Sequence, residues 1–144
     1  MTNYVTDIYK NMATGGDISL SADTFYCALL ADTISDLEPV AIQSITDYSD
    51  IASHEITGTG YTTSGSQLLN LSLSADALSH KSIWNADDLS WTNATFTTKG
   101  AVIYKDGGYP VIGVIFFTDD EVDPLEVQNS SFNLKFTNGI MNII

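Results

Sequence analysis

The sequence predicts an all-β protein, an antiparallel β-sandwich of the jelly-roll or immunoglobulin-like kind, with one short N-terminal helix. Three observations carry that expectation. Short runs rich in aliphatic and aromatic residues recur between turn residues, as at 24–30, 101–104 and 111–117. Leu69, Leu71 and Leu73 alternate with Asn70, Ser72 and Ser74, and Phe132, Leu134 and Phe136 alternate with Asn133 and Lys135. Period-two alternation is the mark of a strand with one buried and one wet face. Asp106-Gly107-Gly108 lies between two apolar runs, a strong hairpin-turn signal.

In chain order, Tyr4, Val5, Ile8, Tyr9 and Met12 recur at helical spacing, with Thr2 or Asn3 as N-cap and Gly15-Gly16 as a stop. This predicts a helix over about 3–13. Residues 24–30 read as the first core strand, with Cys27 packed as a small hydrophobe. Residues 32–50 mix Asp32, Asp36, Asp47 and Asp50 with small polar residues and Pro39. They read as a long surface loop with one helical turn near Ile42–Ile45. Gly58, Gly60 and Gly65 read as turn and bulge glycines, because a β run follows them where a phosphate-cradling loop needs a helix. Strands are then expected at 69–73, 89–91, 94–98, 101–104, 111–117 and 132–136. An apolar tail, 140–144, closes the chain. With no repeat and no low-complexity linker, residues 1–144 read as one domain.

The chain of 144 residues carries 18 acidic side chains against five Lys and no Arg, a formal net charge of −13. Phosphate neutralisation needs clustered Lys and Arg, so binding to nucleic acid or to anionic membranes is not expected. A single cysteine makes no internal disulfide. The N-terminus shows no signal-peptide pattern, and the longest apolar run falls far short of the ~20 residues of a membrane span. Synthesis in the cytoplasm is the expectation.

His54 and His80 sit in polar stretches, and no nucleophile elbow, His-Glu-x-x-His or cysteine pair is present. The residues point to no enzyme and no cofactor. The acidic cluster Asp119, Asp120, Glu121 and Asp123 offers oxygen ligands for calcium but lacks the alternate spacing and closing Glu of a calcium loop, and Asp87-Asp88 adds only a pair. A solvated connection between strands is the plainer reading. Trp91 is expected in the core. Trp84, with Tyr48, Tyr61 and Tyr109, is read as placed on exposed loops. The residues read as partner contacts are Tyr4, Ile8 and Tyr9 at one end and Ile140, Met141, Ile143 and Ile144 at the other, because apolar chain ends tend to dock on something.

Four blocks resemble a known family: TGGDISLSADTFYCALL, DIASHEITGTGYTTSGSQLLNLSLS, WNADDLSWTNATFTTKGAVIYKD and PVIGVIFF. The family comprises small virion-associated proteins encoded in the structural gene region of tailed bacteriophages. The resemblance runs from about Asn11 to Ile144 and is most specific from Ala86 through Trp91 to Tyr104. It implies a structural component of the particle, with capsid decoration or cement as the preferred role. The implied partners are the major capsid protein or other virion structural proteins, with a homo-oligomer as a further option. The chain departs from the family pattern at Lys99, where Arg is frequent, and in the short turn 106–110. A head–tail, tail or fibre-attachment component and a loop-based host-surface binding module are the alternatives. The strong negative charge suits the outer face of a DNA-filled shell better than its lumen.

Overall fold

A computed structural model describes residues 2–78, 81–118, 123–136 and 139–143. The described strands are β1 (Thr2–Val5), β2 (Phe25–Leu30), β3 (Ser66–Gln67), β4 (Ser72–Asp76), β5 (Lys81–Asn85), β6 (Leu89–Thr98), β7 (Gly100–Lys105), β8 (Val111–Phe116), β9 (Leu125–Leu134) and β10 (Met141–Ile143). One nine-residue helix, α1 (Asp7–Gly15), and a five-residue helical turn, α2 (Pro39–Gln43), accompany them. The protein is therefore all-β with one short helix, and every pairing is antiparallel. The central sheet has the order β1-β8-β7-β2-β3, a smaller one β10-β5-β4, and β6 pairs with β9.

The runs at β2, β7 and β8 lack polar alternation because both faces of the central sheet are covered. On one face Phe25, Cys27, Leu29, Ile103 and Ile115 join Trp84 of β5, Trp91 and Phe96 of β6 and Leu134 of β9 in one core. On the other face Ala28, Leu30, Val102, Val114 and Phe116 meet Ile34, Ile42, Ile45 and Ile51. Residues 32–50 lie on the surface as expected, most of them exposed, but they also cover this sheet face through the buried Ile34, Ile42 and Ile45. They run as tight turns at Asp32–Asp36 and Tyr48–Asp50 with α2 between them. Burying these four isoleucines contributes about 6–12 kcal/mol toward offsetting the conformational entropy lost when the segment is ordered.

The expected helix over 3–13 also begins later. Thr2–Val5 pairs with β8, Asn3 opposite Ile115 and Val5 opposite Gly113. Thr6 is the N-cap, its Oγ1 accepting from the Tyr9 amide at 3.3 Å, and Gly16 ends the helix at φ 77°. Tyr4 and Val5 favour strand, and the open edge of β8 supplies the partner that helical periodicity does not consider. Thr6 has a second task. Between Ile103 and Tyr104 the register against β8 jumps from Gly113 to Val111, leaving Ile112 as a bulge. The buried Thr6 hydroxyl donates to the Val111 carbonyl at 2.5 Å, and the Thr6 amide donates to the Ile112 carbonyl at 3.0 Å. One residue thus caps the helix and satisfies the bulge.

Residues 89–91 and 94–98 form one bent strand, β6, with register shifts against β9 on either side of Ala94. Asn93 and Asn129 take positive φ there, as Asn tolerates. At the alternating leucines the strand starts three residues later than expected, at Ser72. Leu68 is buried in the core, its amide bonded to the Phe25 carbonyl at 2.9 Å, and Asn70 turns the chain at φ 53°. Leu71 is half-buried, while Leu69 and Leu73 remain 53% and 48% exposed.

Candidate functional site

Tyr26 on β2 and Tyr104 on β7 are cross-strand partners, and their rings stack at 5.9 Å with planes 20° apart. Tyr48, from the segment covering this face, also stacks on Tyr104, at 4.4 Å and 25°. The three rings, with Asp47, Ser49, Ala52, Ser64, Asp106, Gly107 and Gly108, line a cleft of about 520 Å³. That volume is within the range of small-ligand sites.

The cleft walls are fixed by a polar knot centred on Glu55. Its carboxylate accepts from the Tyr48 hydroxyl in a short hydrogen bond, and from the Tyr61 hydroxyl and the Ser64 amide at 2.6 Å each. Tyr61 Oη also accepts from the Leu29 amide at 3.0 Å, and the Tyr104 hydroxyl donates to the Ser64 carbonyl at 2.5 Å. Desolvation by burial, then the neighbouring carboxylate of Glu55, holds the Tyr48 and Tyr61 phenols well above their ordinary range; burial pushes Tyr104 up to about 12. These phenols are neutral hydrogen-bonding struts at physiological pH. Across the cleft, the Tyr48 amide donates to the Gly108 carbonyl at 2.8 Å, pinning the β7–β8 hairpin. Gly107 and Gly108 both sit at positive φ, 92° and 91°, which the tight turn requires of glycine.

The residues singled out in the sequence fall elsewhere. Tyr9, read as a partner contact, is 3% exposed in the main core, and Ile140, read as part of a docking tail, is 2% exposed there. Both are internal because the structure folds both chain ends onto its own sheets. Tyr4 is half-buried, its ring edge-on to Phe116 at 5.8 Å, and Ile8 is also half-buried. Met141 and Ile143 lie in β10 against β5, and Ile144 lies outside the described residues. Trp84, read as exposed, is fully buried, with its indole N–H donating to the Leu20 carbonyl at 2.8 Å. Trp91 is in the core as expected. Tyr48 and Tyr61 are half-buried struts, and Tyr109 is exposed.

Asp119, Asp120 and Glu121 lie outside the described residues, as does His80; Asp123 is exposed. Among the described residues no group of three or more His, Cys, Asp or Glu is placed to hold a metal ion, and no helix is long and apolar enough to cross a membrane. His54 Nδ1 is 2.9 Å from the Thr33 hydroxyl. Asp87 accepts from the Asn70 amide group and Asp88 from the Phe136 backbone amide, so the acidic pair ties strand ends together. The cleft has almost no signature in the sequence. Its one local signal is that Tyr26 and Tyr104 fall on the same side of two strands that pair.

Fold and site together define an antiparallel all-β protein with a rigid, acidic, tyrosine-lined cleft. In comparisons with known proteins, the chain matches no family model, no curated protein and no solved structure.

Proposed function

We propose that this chain is a non-enzymatic structural protein of a tailed-phage virion, held on the outer surface of the capsid as a decoration or cement protein against the major capsid protein. The observation that carries the reading is where the large apolar side chains go. Leu69, Leu73 and Leu78, 95% exposed at the last, lie in and beside β4, the outer strand of the β10-β5-β4 sheet. Three exposed leucines within ten residues of an edge strand favour a contact surface, since apolar side chains left in water there are available to a partner. The tyrosine hydroxyls and the Glu55 carboxylate, by contrast, are spent on holding the fold together. The net charge of −13 supports a place on the outside of a DNA-filled shell and opposes self-association before assembly. The four sequence blocks that resemble virion-associated proteins support the same class.

The test is stoichiometry in purified particles of the phage that encodes the chain, by gel densitometry against the major capsid protein. Copies in the tens or more per particle are expected. A copy number matching threefold, sixfold or twelvefold tail symmetry moves the protein to the tail, and its absence from particles overturns the reading.

A further inference from the structure

We infer that the cleft between the 47–52 segment and the β7–β8 hairpin is a binding site for a guanidinium or ammonium group carried on an alkyl stem. The inference is independent of where the protein resides. The lining combines three tyrosine rings stacked in near-parallel planes with two carboxylates, Asp47 and Asp106, and it contains no Lys, Arg or His. An anionic ligand would find no positive group among those residues. A neutral ligand would use the rings but gain little from two charges. A cation with an apolar stem uses both, the stem against the rings and the charge toward the carboxylates, with a ring-quadrupole contribution where it comes within about 6 Å of a tyrosine centroid.

The site is built before any ligand arrives. Tyr48 is fixed by its stack on Tyr104 and its bond to Glu55, Tyr104 by the Ser64 carbonyl, and the hairpin by the Tyr48–Gly108 and Thr46–Val111 backbone bonds at 2.8 and 2.9 Å. Little conformational freedom remains to be lost on binding. Of the two carboxylates, Asp47 already accepts from the Ser49 amide at 2.9 Å through Oδ1. Asp106 is exposed on the hairpin, and its backbone amide, not its side chain, bonds to the Thr24 carbonyl. The one cation adjacent in sequence, Lys105, reaches Asp23 at 3.4 Å.

The test is a chemical-shift titration of the whole protein with three small ligands: N-acetyl-arginine methylamide, agmatine, and the uncharged isostere N-acetyl-citrulline methylamide. The two cations are expected to shift the amides of Tyr48, Gly107 and Gly108 saturably, with Kd on the order of 1 mM, and citrulline not to. Tighter binding of the arginine amide than of agmatine assigns the site to side chains of a protein partner; the reverse order assigns it to free small cations. Asp106→Asn and Asp47→Asn are each expected to raise Kd about two- to fivefold, while Asp36→Asn, outside the cleft, leaves it unchanged. Equal binding of citrulline, equal weakening by Asp36→Asn, or no saturable shift at these amides overturns the proposal.

Discussion

Glu55→Gln keeps the size of the side chain at the centre of the tyrosine knot and removes its charge. The carboxylate accepts three hydrogen bonds, two at Oε1 from Tyr61 and the Ser64 amide and one at Oε2 from Tyr48. A glutamine oxygen can keep the first two. Its NH₂ then faces the Tyr48 hydroxyl, which must turn round to accept and loses its own acceptor. Hydrogen bonds to a charged group are worth about 1.5–3 kcal/mol and neutral ones about 0.5–1.5, so the change removes roughly 1 kcal/mol per bond. Glu55 is half-buried, and solvent screening reduces the sum to about 2 kcal/mol. For a domain of this size that corresponds to a fall in Tm of ~6 °C. Urea unfolding at neutral pH should show a lower midpoint with an unchanged slope. A double-mutant cycle with Tyr61→Phe should give a coupling of about 1 kcal/mol. A Glu55→Gln variant within ~0.5 kcal/mol of the parent, with additive single mutants, would refute the account of the knot as a stabilising charged centre.

Other consequences are as direct. Trp84→Phe strips the indole N–H from the buried Leu20 carbonyl and leaves a void beside Phe25; a loss of about 2–4 kcal/mol is expected by denaturant titration, and a loss under ~1 would contradict the packing described. Thr6→Val, nearly isosteric, uncaps α1 and leaves the Val111 carbonyl short of a donor, with an expected cost of ~2 kcal/mol and earlier hydrogen exchange at the Tyr9 amide. The folded phenols of Tyr48, Tyr61 and Tyr104 hold their protons beyond the unfolded value near ~10, so stability is complete below that pH and falls as pH climbs toward about 12; a flat urea midpoint over this window would contradict it. Burial pushes the Cys27 thiol up to about 12, so a thiol reagent at neutral pH should label it only as fast as the chain opens, with urea accelerating the reaction.

The β class is legible because period two and turn residues are local signals. Phe132 and Leu134 with Asn133, and Asp106-Gly107-Gly108, need no knowledge of the rest of the chain. The double cover of the central sheet is not legible as such. Its trace in the sequence is the missing alternation at 25–30 and 111–116, but the covering residues, Ile34, Ile42, Ile45 and Ile51, are spaced irregularly because each answers to the sheet beneath and not to a period of its own. Tyr4 and Val5 read as helix since nothing local reveals that β8 has an edge to fill. Trp84 reads as exposed for a related reason: the carbonyl that makes its burial acceptable belongs to Leu20, 64 positions away. The cleft assembles Tyr26, Tyr48, Ser64 and Tyr104 from separate segments, so no motif contains it.

The placement of β1 bears on how the protein can be handled and cut. Four residues, Thr2–Val5, shield most of one side of β8, whose own six residues are all buried. Trimming them would bare a strand reading Val-Ile-Gly-Val-Ile-Phe, uncharged and rich in β-branched residues, to any chain able to pair with it. Thr2 pairs with Phe116 at the end of β8, so an affinity tag placed ahead of this strand needs a flexible spacer to leave the pairing undisturbed. Any change that breaks the pairing of Thr2–Val5 with β8 would open that edge to self-association.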